Sequence, residues 1–299
     1  MNSDHPSRGN LILLVFLLLA TPMAGCARPT AAAREERRAT TRSIENKGSD
    51  SLVNLALAWA EAYMQAHSDI RISVTGGGSG TGIAAMIHGT ADIANASREM
   101  KPEEVSAAEA NGIFPQQFVV ARDAIAVVIK PSNPVDRLTM QQVSDIYTGK
   151  ISNWRQAGGA DRPIVLLSRE SNSGTYVYFL ENVIRLGQKD SQSLFSPDTL
   201  LMPSSEGIST EVRQNPNTIG YDGLGYVTAD QKMVAIAPDE SSPYVLPSAE
   251  TVNDGSYPIS RPLYMYTAGK PSGPIKAYLD WVLGEGQAMV AGLGFVSLK

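Results

Sequence analysis

Residues 169–175 read Arg-Glu-Ser-Asn-Ser-Gly-Thr, and the apolar run Tyr176-Val177-Tyr178-Phe179-Leu180 follows without a break. Ahead of them stands Ile164-Val165-Leu166-Leu167-Ser168, a short apolar segment that predicts a buried strand. The stretch therefore reads as a strand, a polar loop and the first turn of a helix. Ser173 or Thr175 can cap that helix, and Gly174 lets backbone come close to a ligand. The first N–H groups of a helix lack internal partners and carry partial positive charge. They suit an oxyanion, and Arg169 just upstream can clamp one with two parallel hydrogen bonds.

The same design occurs at Ser49-Asp50-Ser51 and at Ser79-Gly80-Thr81, inside the glycine run from Gly76 to Gly82. Any one of these is an ordinary helix start. Three of them, with Arg98 and Arg169 in matching places, point to one anion site if they meet at the carboxyl ends of strands. The glycine run lacks the Gly-Lys-Ser/Thr ending of a nucleotide loop. It also lacks the Gly-x-Ser-x-Gly elbow of hydrolases, because Thr81 stands where the last glycine belongs.

Outward from these loops the chain alternates strands and helices. Leu52, Leu55, Ala56, Trp59 and Tyr63 recur at helical spacing between Ser49 and His67, which predicts a core-facing helix. Strands are predicted at 43–48, 70–74, 91–96, 118–130, 164–168, 219–221 and 259–267. Further helices are predicted at 83–87, 101–111, 139–147, 176–186, 208–214 and 274–283. The pattern implies an α/β fold with largely parallel sheets.

The 299 residues suffice for one large or two medium domains, and 43% hydrophobic with 18% charged residues excludes a disordered chain. Residues 1–25 read as a signal peptide, with an apolar run from Leu11 to Ala20 too short to span a bilayer. Met23-Ala24-Gly25-Cys26 resembles a lipobox, which makes Cys26 the lipid-carrying residue and the lipid a membrane partner. Residues 26–42 read as a flexible tether carrying about +3 by formal counting. The remaining body is thus more acidic than the whole-chain charge of −5, which argues against nucleic acid as a partner. Cys26 is the only cysteine, so the fold must rest on packing without an internal disulfide.

The chain closely resembles the periplasmic phosphate-binding proteins of bacterial ABC transporters. The resemblance rests on Gly48-Ser49-Asp50-Ser51, the run Gly76 to Ile83, Ala91-Asp92-Ile93-Ala94-Asn95-Ala96-Ser97-Arg98, and Asp123-Ala124-Ile125-Ala126-Val127. It continues through Arg169 to Thr175, Ile219-Gly220-Tyr221 and Tyr257-Pro258-Ile259-Ser260-Arg261-Pro262-Leu263-Tyr264. It implies a two-lobed Venus-flytrap fold with hinge crossings near Ala121–Asp123 and Tyr221–Gly225. The first lobe is then 43–121 plus 225–299, and the second 122–224. By motif, Ser49, Asp50, Ser51, Ser79, Ser97 and Arg98 face Arg169, Ser173, Gly174 and Thr175 across the cleft, and phosphate favours the closed state. The implied role is an extracytoplasmic monomer that hands phosphate to an ABC permease, with no catalysis and no cofactor.

Phosphate keeps a proton near neutral pH and sulfate does not, so a buried carboxylate distinguishes them. The best-known members of the family carry an aspartate directly after the serine at the Ser97 position, where this chain has Arg98. Asp123 is the candidate replacement and Asp50 the second choice, against the plain alternative that Asp123 makes a hinge hydrogen bond or pairs with Arg98. Rival readings are a binding protein for sulfate, molybdate or tungstate, a phosphate-sensing lipoprotein, and a hydrolase using Ser49, Ser79 or Ser173. His67 and His88 sit near helix ends, and Trp154 reads as a loop anchor. No metal-ligand spacing occurs.

Overall fold

A computed structural model describes residues 42–298. The signal peptide, Cys26 and all of the tether except Arg42 lie outside the described residues. Strand β1 (Arg42–Gly48) leads through Ser49 into helix α1 (Asp50–Ala66), then β2 (Ile70–Thr75) and α2 (Ser79–Ile87). Next come β3 (Ile93–Ala96), α3 (Pro102–Ala110) and the long strand β4 (Gln116–Ile129). The middle of the chain forms β5 (Arg137–Thr139), α4 (Met140–Tyr147), β6 (Val165–Arg169), α5 (Gly174–Phe179), β7 (Leu200–Met202), α6 (Ser205–Gln214) and β8 (Thr218–Gly223). After it follow β9 (Lys232–Met233), β10 (Ala235–Ala237), α7 (Ala249–Asn253), β11 (Ser260–Thr267) and α8 (Gly273–Leu283).

Hydrogen bonding orders the main strands β2-β1-β3-β11-β4-β8-β6-β7. Both flanks are parallel, as the alternation of strands and helices predicts: β1 with β2 and β3, and β6 with β7 and β8. The centre is antiparallel, because β11 pairs with β3 and β4, and β4 pairs with β8. Those pairings join segments far apart in sequence, so no local pattern announced them. The two flanks make the two lobes of a binding-protein fold, and β4 runs through both.

Each lobe has its own core. In the first, the α1 face of Leu52, Leu55, Trp59 and Tyr63 packs on Ile44, Ile72, Ile93, Leu263 and Phe295. Burying each such side chain contributes roughly 1.5–3 kcal/mol. Trp59 also donates its indole N–H to Gly286 O at 2.8 Å, which leaves no buried donor unmet there. In the second, Ile125, Val127 and Ile129 of β4 meet Tyr147, Phe179 and Tyr221, with Phe179 stacked on Tyr221 at 3.7 Å between ring centroids. Trp154 is buried in this core and donates to Asn217 O at 2.9 Å, the loop-anchor role.

The sequence reading returns the chain to the first lobe at Gly225, and the hydrophobic residues that follow pack as far as Ile259 in the second core. Val234, Ile236, Val252, Tyr257 and Ile259 all lie in the second core. Pairing holds them there: β9 joins the far end of β4 at Val128 and Ile129, and β10 joins β5. Leu263 and Met265 of β11 are the next residues in the first core. Another departure is the helix expected over 176–186, which is α-helical only to Phe179 and continues as a π-turn over Leu180–Ile184. His67 and His88 occupy C-cap positions of α1 and α2, as read.

Candidate functional site

The loops singled out in the sequence meet where the two lobes face each other. Gly48 ends β1 at φ +144°, and a Cβ there would lie 2.1 Å from Asn95 O. Only glycine lets β1 and β3 close up at that point, and the Ser49 N–H then donates to Asn95 O at 2.9 Å. Ser49 is the residue before α1, but its side chain makes no capping bond. Ser79 opens α2, and its Oγ accepts the Ser97 N–H at 3.0 Å and lies 3.3 Å from Ser97 Oγ.

From the other lobe, Ser173 caps α5 by accepting the Thr175 N–H at 3.2 Å. Gly174 sits directly against the first lobe, and a Cβ on it would lie 2.4 Å from Ser79 Oγ and 2.5 Å from Ser97 Oγ. Thr175 Oγ1 is 2.8 Å from Ser51 Oγ. The cleft is thus closed, and Ser51, Ser79, Ser97, Ser173 and Thr175 are all buried in it.

A residue to which sequence analysis assigned no role completes this cluster. Arg261 of β11 is buried, and its Nη2 donates to Thr175 Oγ1 at 2.9 Å, Asp123 Oδ2 at 3.1 Å and Ser51 Oγ at 3.2 Å. Its guanidinium also lies over the Tyr178 ring, 5.5 Å from the centroid. The Arg261 Nε and Nη1 and the Asp123 Oδ1 are buried without a hydrogen-bond partner among the described residues. Burial pushes the Asp123 carboxyl above its usual range, against the pull of Arg261 and of the Leu224 backbone. The signal was present in the sequence: a lone arginine in the otherwise apolar strand 259–267 needs an anionic partner.

The two arginines expected to serve an anion each pair with a carboxylate of the same chain, and Arg98 Nε is buried without a hydrogen-bond partner among the described residues. Arg98 forks onto Glu104, at 2.7 Å from Nη1 and 2.6 Å from Nη2, and gives Nη1 also to Glu99 O. Burial raises the Glu104 carboxyl, but the bonds from Arg98 and from the Lys101 N–H outweigh it and hold Glu104 below its usual range. Arg169 reaches across the cleft to Asp50, Nη2 to Oδ2 at 2.5 Å, and binds Ser205 Oγ, Pro203 O and Met202 O on its own side. Asp50 also accepts the Gly77 N–H at 3.1 Å. Charge that the sequence assigns to a ligand therefore holds loops and lobes together, because each arginine lies nearer a carboxylate of its own chain.

Further cross-cleft bonds were not anticipated. Asn172 O accepts the Gly80 N–H at 3.1 Å, Asn172 Nδ2 donates to Gly77 O at 3.0 Å, and Tyr226 donates its hydroxyl to Asp50 O at 2.5 Å. Among the buried polar atoms of these loops without a hydrogen-bond partner among the described residues are Arg98 Nε, Arg261 Nε and Nη1, and Asp123 Oδ1. No group of His, Cys, Asp or Glu suited to a metal occurs among the described residues.

Comparison with known proteins identifies the family. The family model described as a PBP superfamily domain matches residues 32–285. The phosphate-binding protein PstS of Pseudomonas aeruginosa is 35% identical over 274 residues, covering 86% of this chain and 83% of its own. PstS of Bacillus subtilis is 30% identical over 284 residues, covering 92% and 89%. A Clostridium perfringens crystal structure with bound phosphate, assigned as a phosphate ABC transporter substrate-binding protein, aligns at TM-score 0.77 and 33% identity over 86% of this chain and 100% of that one. The chain belongs to the PstS-like phosphate-binding proteins of the PBP superfamily, a family of transporter substrate-binding proteins and not of enzymes.

Proposed function

We propose that the protein captures inorganic phosphate between its lobes and delivers it to an ABC-type permease. The observation that carries this reading is the buried Arg261–Asp123 pair with its free atoms. Arg261 Nε and Nη1 offer two donors to phosphate oxygens. Asp123 Oδ1 offers the acceptor that a P–O–H group needs and that sulfate cannot use. The hydroxyls of Ser51, Ser79, Ser97 and Thr175 supply further donors from both lobes, with Ser49, Ser173 and the Gly174 N–H beside them. An anion seated there touches both lobes only when they are closed, so it stabilises the closed form that a permease would read.

In this reading the direct anion contacts shift from Arg98 and Arg169 to Arg261, with Asp50 acting through Arg169. The first lobe is 43–121 plus 263–295, and the second is 125–259. Lipid on Cys26 would hold the protein to a membrane outside the cytoplasm as a monomer, and mass spectrometry of wild type against Cys26→Ala tests that. The test of ligand is calorimetric titration of the phosphate-stripped full chain with phosphate, sulfate and molybdate. Saturable phosphate binding that excess sulfate leaves in place is expected. Preferential sulfate or molybdate binding, or none, overturns the reading.

A further inference from the structure

Asn172 lies in the loop between β6 and α5 and is exposed, while Ser173 and Gly174 beside it are buried. The Ser173 N–H donates to Glu170 O at 2.9 Å and turns the loop. From that turn two polar groups of Asn172 cross to the opposite lobe. Its Nδ2 donates to Gly77 O at 3.0 Å, and its backbone O accepts the Gly80 N–H at 3.1 Å. Both partners belong to the glycine run that opens α2, and that run is fixed within its own lobe. The Gly77 N–H donates to Asp50 Oδ1 at 3.1 Å, the Gly78 N–H to Gly48 O at 3.0 Å, and Thr81 Oγ1 to Gly77 O at 2.6 Å.

The first N–H groups of a helix lack internal partners, and a side chain just ahead of the helix commonly supplies one. Gly78 is the residue before α2 and has no side chain to offer. Its φ is +92°, and a Cβ on it would lie 2.8 Å from Asn172 O. Glycine therefore admits the carbonyl of the opposite lobe, which takes the cap's place at Gly80. We propose that Asn172 is a closure residue: it caps α2 across the cleft and grips Gly77, and so sets how fast the cleft reopens while making no contact with the anion. The inference rests on the phosphate reading above for its rate readout alone. Both bonds exist only in the closed form, and opening hands their groups to water. Removing one raises the free energy of the closed form and leaves the open form, which admits ligand, unchanged. The effect therefore falls on dissociation and not on association. Arg261 and the buried hydroxyls are untouched, so the preference among anions stays as it is.

The test uses the full chain and its Asn172→Ala variant, which removes the bond to Gly77. Dissociation is followed as loss of radiolabelled phosphate on dilution into excess unlabelled phosphate, and the dissociation constant is measured by calorimetry. Exchange of the Gly80 amide hydrogen, read by nuclear magnetic resonance, reports the bond to Asn172 O directly. The variant is expected to release phosphate roughly two- to tenfold faster, the worth of one hydrogen bond. Its dissociation constant should weaken by the same factor, which leaves association unchanged, and Gly80 should exchange faster. A dissociation rate and a Gly80 exchange rate equal to those of wild type overturn the closure role and leave the phosphate reading standing. A weaker constant with an unchanged dissociation rate overturns it as well. Wild type that binds no phosphate overturns the phosphate reading. Gly80 exchange in the two ligand-free proteins then decides the closure role: faster exchange in the variant supports it, and equal rates overturn it. If Asn172→Ala melts well below wild type, Asn172→Ser, which keeps a turn-forming residue too short to reach Gly77, replaces it.

Discussion

Asp123→Asn separates the two tasks assigned to the buried carboxylate. Asp123 has no exposure to solvent, and its Oδ2 accepts from Arg261 at 3.1 Å while Oδ1 is free. In asparagine the oxygen can keep the bond to Arg261, but the other atom becomes an N–H donor aimed where phosphate also presents a donor. One hydrogen bond to a charged group is lost, a cost of about 1.5–3 kcal/mol, so phosphate affinity should fall by roughly 10- to 150-fold. Sulfate gains by the same change. Removing a like charge beside the anion relieves repulsion of several kcal/mol, so the preference for phosphate over sulfate should shrink by more than about 100-fold. Paired calorimetric titrations of wild type and variant with both anions near neutral pH read both effects. Melting curves serve as a control, because an unpaired Arg261 costs on the order of 3–5 kcal/mol without ligand. A variant that holds phosphate within about twofold of wild type and still refuses sulfate would refute the assignment of Asp123.

Gly174→Ala places a methyl 2.4 Å and 2.5 Å from the Ser79 and Ser97 oxygens of the opposite lobe. It should weaken phosphate by at least about 100-fold by propping the cleft open, with little change in the ligand-free melting temperature. Equal phosphate constants in calorimetry would show that the lobes do not meet there. Arg98→Met breaks the fork onto Glu104 and should cost about 1–3 kcal/mol in denaturant unfolding while phosphate affinity stays within about threefold. The pair holds Glu104 below its usual range, so its stabilisation is present near neutral pH and lost as pH falls through the folded value. The sign reverses for Asp222, whose carboxyl is raised from 3.8 to about 7. Its burial is uncostly below the unfolded value and opposes folding increasingly as pH rises to about 7. The unfolding free-energy gain of Asp222→Asn over wild type, read by denaturant titration, should therefore grow across that window toward an order of 4 kcal/mol and level off above it.

The strand–loop–helix units were legible because each depends on neighbours in sequence. Leu52, Leu55, Trp59 and Tyr63 declare a helix face by spacing alone, and Ser173-Gly174-Thr175 after an apolar strand declares a capped helix start. The packing of the chain beyond Gly225 was not legible. Tyr221–Gly225 has the glycines of a hinge, yet β9 and β10 hold the following residues to β4 and β5 through pairings no local pattern encodes.

By itself the sequence determined an α/β chain with three hydroxyl-and-glycine loops opening helices, since local periodicity, capping chemistry and backbone freedom settle those features. Tertiary structure alone decided which charges pair. Arg98, six residues from Glu104, was taken by it, and Arg169 was taken by Asp50, 119 positions away. Arg261 was brought to Asp123 over 138 positions by the antiparallel pairing of β11 with β4, where the two residues are directly opposed. A charge acts over a few ångströms in a dry interior. Its partner is therefore chosen by the fold's topology, which brings distant strands into register and lies outside the reach of any sequence window.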